Sequence, residues 1–110
     1  MPNNYKKYYN YLIQTFGCAN YSGCLALARL IAMYEEGKQL QDLYKEYSEQ
    51  YNLTPTAVER CVRVYLQAIL KEYSIEDIAN VLDYNFKPGQ TRLVISEIIP
   101  VIKFRLEEEQ

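Results

Sequence analysis

Apolar side chains recur every three to four positions along most of this chain, a helical pattern almost throughout. Tyr8, Tyr9, Leu12, Ile13 and Phe16 form the first stripe and predict a helix from Asn4 to Phe16, with Asn3 or Asn4 as cap and Gly17 as stop. Cys18-Ala19-Asn20-Tyr21 is a connector. Ser22 starts a second helix that is apolar almost all round up to Tyr34, the mark of a central core helix. Glu35-Glu36-Gly37 ends it. A third helix runs from Gln39 to Tyr51 on the stripe Leu40, Leu43, Tyr44, Tyr47 and Tyr51. A fourth runs from Pro55 to about Tyr73 on Val58, Cys61, Val62, Tyr65, Leu66 and Ile69. Ser74-Ile75-Glu76-Asp77 is a capping-box pattern that opens a fifth helix, ending near Leu82. Residues 83–90 carry turn chemistry. The last helix is placed from Ser96 to about Glu107, which puts Pro100 in the first turn, where proline is tolerated. Leu93-Val94-Ile95 is then an extended lead-in. The expected fold is all-α, about six helices around a central apolar helix, in one domain over residues 1–110.

The third and fourth helices are joined by a very short connection. Asn52 suits the left-handed residue that ends a helix, Thr54 can cap the next one through its hydroxyl, and Pro55 follows at the first helical position. Two helices joined so tightly cross steeply, the helix-turn-helix geometry over about 39–51 and 55–73. Ser48 is small where the two should approach. The fourth helix turns Thr56, Glu59, Arg60, Arg63 and Gln67 away from its apolar stripe. Such side chains can read base edges or hold phosphates, and they equally suit a solvated outer face. The cap and turn favour nucleic acid.

Composition sharpens this picture. A chain of 110 residues buries about two-thirds of its unfolded surface, enough for a core without staples. Tyrosine is heavily used, with 12 copies, and a tyrosine stripe can serve as a stacking platform for single strands; its helical spacing favours a core instead. Histidine is absent, there is no Gly-rich phosphate loop and no nucleophile elbow, so no catalytic residue, metal site or cofactor is expected. Cys18, Cys24 and Cys61 form no C-x-x-C pair. They fit a reduced, cytoplasmic setting, although Cys18 and Cys24 can in principle bridge. No stretch is long and apolar enough for a membrane span, and no membrane partner is expected.

The net charge of −2 argues against a nucleic-acid binder, but its distribution argues back. Residues 53–73 carry Arg60, Arg63 and Lys71 against Glu59 and Glu72, and three of the acids elsewhere are the run Glu107-Glu108-Glu109. The positive excess is small, so weak and salt-sensitive DNA affinity is expected. Arg29, alone on the core helix, either reaches solvent along its stem or meets a phosphate.

Three stretches resemble one known family. Gly23-Cys24-Leu25-Ala26-Leu27-Ala28-Arg29-Leu30-Ile31-Ala32-Met33, the segment from Leu43-Tyr44 through Val58-Glu59-Arg60 and Arg63, and Ser96-Glu97 with the apolar residues after it are similar to the C-terminal DNA-binding domain of the stage-zero sporulation response regulator of endospore-forming bacteria. The Val-Glu-Arg segment is the most specific. The resemblance implies that Glu59 and Arg60 read bases in the major groove, that Arg63 meets a phosphate, and that Arg92 lies near a backbone-contacting stretch. It implies dimer contacts through the last helix, whose apolar surface exceeds what one stripe needs. Departures accompany it. Ala57 stands where the family has a further arginine, the stretch before the third helix is shorter, and the loop 87–92 has fewer lysines. No phospho-receiver segment precedes the domain, so a stand-alone effector without phosphorylation in cis is expected.

The expected function is therefore a non-enzymatic regulator of transcription that contacts double-stranded DNA through Thr56, Glu59, Arg60, Arg63, Gln67 and Arg92. The alternative is a protein-interaction module that keeps the fold and forms a homodimer or pairs with a related regulator through the last helix.

Overall fold

A computed structural model describes residues 4–18 and 20–108. Asn3, the alternative first cap, Ala19 of the connector and Glu109 of the acidic run lie outside the described residues. The described residues form six helices and no strand: α1 (Tyr5–Phe16), α2 (Ser22–Met33), α3 (Leu40–Tyr51), α4 (Pro55–Glu72), α5 (Ile75–Leu82) and α6 (Ile95–Glu108).

The apolar girth of α2 makes it the hub. It packs against α1, α3, α4 and α6, and Cys24, Leu27, Ala28, Leu30 and Ile31 are wholly sequestered. Each large aliphatic side chain buried this way contributes about 1.5–3 kcal/mol. Small residues decide where neighbours come closest. Gly23 meets α4 so tightly that a Cβ there would lie 2.0 Å from the carbonyl oxygen of Cys61 and 2.7 Å from Cβ of Tyr65. Beside it, the Ser22 hydroxyl donates to Cys61 Sγ at 3.4 Å, and Cys61 is half-buried. Cys18, Cys24 and Cys61 are free thiols. At its other end, α2 has carbonyls without helical partners. Lys103 of α6 donates to the Ala32 carbonyl in that last turn and to the Tyr34 carbonyl just beyond it, which ties the last helix to the hub. Burial pulls the Lys103 ammonium below the usual lysine range.

Arg29 neither hangs in solvent nor points to a phosphate site. Its guanidinium stacks over the Tyr51 ring at 4.0 Å, stands 5.3 Å from the Tyr5 ring, and donates to the Tyr47 hydroxyl at 3.3 Å. The aromatic side chains of α1 and α3 thus close on α2 around a cation. Here the tyrosine stripe serves the core: Tyr47 is 2% exposed and Tyr44 9%.

Three boundaries differ from expectation. Asn4 precedes α1 but makes no side-chain cap hydrogen bond. The second helix stops at Met33, because Tyr34 is extended; Gly37, at φ 93°, belongs to the following turn. The last helix begins one residue early, since the Val94 carbonyl already accepts from the amides of Glu97 and Ile98. Pro100 therefore lies inside α6 rather than in its first turn. The carbonyl deprived of a donor is that of Ser96, four residues back and exposed, where water can satisfy it.

Candidate nucleic-acid interface

The α3–α4 unit is built by local chemistry. Asn52 takes the left-handed conformation at φ 58° and stops α3. Two residues later the Thr54 hydroxyl accepts the Ala57 amide at 3.1 Å, and Pro55 occupies the first turn. These signals leave a three-residue turn between the helices. Val58, Val62, Tyr65, Leu66 and Ile69 bury one side of α4, so Thr56, Arg60, Arg63 and Gln67 stand exposed along the other, with Glu59 half-buried at the margin.

Arg63 donates to Glu59 one turn back, forming an ion pair on the free face. Beyond that pair a groove opens between α4 and the segment leading into α6. Glu59, Arg63 and Gln67 line one side and Arg92 the other, over Leu66 and Leu70. The structure thus joins four of the six expected site residues in one groove. Thr56 and Arg60 lie outside its lining, nearer the start of α4. Within the groove Arg63 and Arg92 outweigh Glu59, and Arg60 adds a further positive charge nearer the start of α4.

Arg92 is held there by residues that sequence reasoning missed. The Gln90 side-chain amide donates to the Arg92 carbonyl at 2.7 Å and to Glu97 Oε1 at 3.0 Å. The Tyr84 hydroxyl donates to Glu97 Oε2 at 2.6 Å. Glu97 thereby gathers both ends of the 83–94 loop. In the sequence it is an ordinary acid in the first turn of a helix, and nothing in its spacing announces the partners. The Glu97 carboxylate also raises the Tyr84 hydroxyl pKa, because losing the proton breaks their hydrogen bond. Glu97→Gln should return Tyr84 toward the ordinary tyrosine value, read from carbon-13 shifts of its ring. The sign for stability follows: a raised folded pKa means that the bond stabilises fully below the unfolded value and is lost as pH rises through the folded one. An unchanged Tyr84 titration in Glu97→Gln would show that the loop is held by other means.

Its family makes this all-helical chain a DNA-binding effector domain. The chain itself belongs to the family described as sporulation initiation factor Spo0A C terminal, whose model matches residues 7–106. That family is the DNA-binding effector domain of a sporulation regulator, so DNA-binding regulation of transcription is the setting of this chain. No curated protein and no solved structure matches it. Among the described residues no helix is long and apolar enough to cross a membrane.

Proposed function

We propose that α3 and α4 act as a helix-turn-helix, with α4 lying in the major groove of duplex DNA. Thr56, Glu59 and Arg60 address base edges, while Arg63, Gln67 and Arg92 address the backbone. The observation that carries this reading is the meeting of Arg92, from a distant loop, with the exposed polar row of α4 along one positive groove. A solvated helix face needs no second basic element beside it. Ala57, half-buried at the start of α4, supplies no hydrogen bond to a base through its side chain, so the target differs from one read by an arginine there.

Fluorescence anisotropy against a random-sequence duplex pool at low salt tests the reading, and absence of binding above background ends it. Arg60→Ala should cost about 1–3 kcal/mol of discrimination at one position of a selected site. Arg92→Ala should weaken binding to all duplexes alike and reduce the salt slope by about 1.

A second reading is favoured by α6. Phe104 is 52% exposed and stands with Pro100 and Val101 at a groove against the end of α5. That surface suits a homodimer or a pairing with a related regulator. Light scattering with and without such a regulator distinguishes the two, since a strict monomer that ignores the regulator yet binds DNA excludes the pairing.

A further inference from the structure

The Glu59–Arg63 pair bears on how the proposed face tells one duplex from another, and this inference rests on the DNA-binding reading above. The Arg63 side chain is 51% exposed and that of Glu59 33%. An exposed pair at this spacing is too weak to serve as a brace for α4. Its place matters more, because it stands in the groove shared with Gln67 and Arg92. From α3, the Tyr44 hydroxyl lies within electrostatic range of both charges; it is buried and has no hydrogen-bond partner. Burial pushes that hydroxyl up to about 12, so it stays a neutral donor.

We propose that the Glu59–Arg63 pair is a latch that makes this face selective among duplexes. Closed, it withholds Arg63 from the phosphates. Open, it leaves Glu59 as a bare carboxylate that needs a base amino group, that of cytosine or adenine in the major groove. Where a duplex presents such a group, Glu59 takes it and Arg63 passes to the backbone. Where it presents none, a freed carboxylate would face phosphates, and the latch stays shut. Glu59 thereby penalises arbitrary DNA through the arginine it holds.

The test is anisotropy of the full chain against a random-sequence duplex pool, and against the tightest duplex selected from it, over a series of salt concentrations. Glu59→Gln keeps the shape and removes the charge. It should bind the pool about threefold tighter at about 0.1 M salt, the most that freeing so weak a pair returns, and steepen the log–log salt slope by up to about 0.9, the value for one full phosphate contact. The gain on the selected duplex should be smaller, because the carboxylate-to-amino contact is lost there. In an Arg63→Gln background the same change should gain far less, since no arginine remains to be released. Equal gains in both backgrounds overturn the latch, as does an unchanged or shallower slope in Glu59→Gln shown to be folded by circular dichroism. If neither the wild-type chain nor Glu59→Gln binds the pool at low salt, the DNA-binding reading falls and takes the latch with it. Wild-type binding without a gain in Glu59→Gln removes the latch alone.

Discussion

Gly23→Ala should cost the protein a large part of its stability. Alanine is the better helix former, and that preference alone would add about 1 kcal/mol. The crossing with α4 reverses the sign. The new methyl would lie 2.0 Å from the Cys61 carbonyl oxygen and 2.7 Å from Tyr65 Cβ, and neither can turn aside by changing a rotamer. The helices must separate instead, which loosens α4 where Val58, Val62 and Tyr65 are fully buried. Overpacking typically costs about 1–3 kcal/mol, and a clash against backbone belongs at or above the top of that range. A net loss near 3 kcal/mol is a large share of the ~5–15 kcal/mol that holds a domain together. Urea denaturation measures it. Gly37→Ala is the control: Gly37 has φ 93° but open space around it, so only the cost of left-handed backbone applies. Equal losses in the two variants would show that the crossing is not what Gly23 serves. In whatever fraction of Gly23→Ala folds, the displaced α4 would no longer meet Arg92 across its groove.

Gly23 also shows where sequence reasoning stops. The features legible beforehand act over three or four residues. Asn52, Thr54 and Pro55 state their roles by type and order, Ser74 and Asp77 form the capping box that their spacing announces, and the apolar stripes mark the buried faces. A glycine in the first turn of a helix announces only flexibility. That it marks a crossing depends on which helix lies over it, and no periodicity encodes that. The clamp of Tyr84, Gln90 and Glu97 has the same character, since its partners lie 7 and 13 positions apart across an irregular loop. The site divides along this line. The exposed row on α4 was readable from its helical spacing, whereas the place of Arg92 opposite that row came only with the folded loop. The start of α6 lies one residue before the place that a proline in the first turn predicts, because the Val94 carbonyl, which no proline rule encodes, already accepts the first helical amides.

Arg29→Ala should destabilise the protein by about 2–4 kcal/mol, a large loss for a half-buried charged residue with no ion pair among the described residues to break. Stacking over Tyr51 and Tyr5 contributes about 0.5–2 kcal/mol per ring, depending on desolvation. Removing the guanidinium also strips the Tyr47 hydroxyl of its donor at a site 2% exposed, at about 1–3 kcal/mol. One term works the other way: Arg29 Nε is itself buried without a partner, which lowers the net value of the cage. Arg29→Lys separates charge from shape. A lysine keeps the cation but lacks the plane that stacks and the fork that reaches Tyr47, so it should recover less than half of the loss. Urea denaturation gives both values, and Arg29→Ala within 0.5 kcal/mol of the parent on that scale would rule out an energetic role for the cage. The consequence for DNA contact follows from position. Tyr51 is the last residue of α3, immediately before the turn that launches α4. With the cage removed, that end of α3 loses its hold on α2, and amide exchange at Asn52 through Ala57 should quicken ahead of the core of α4. The presentation of the arginine row would then weaken although every residue in the row is intact.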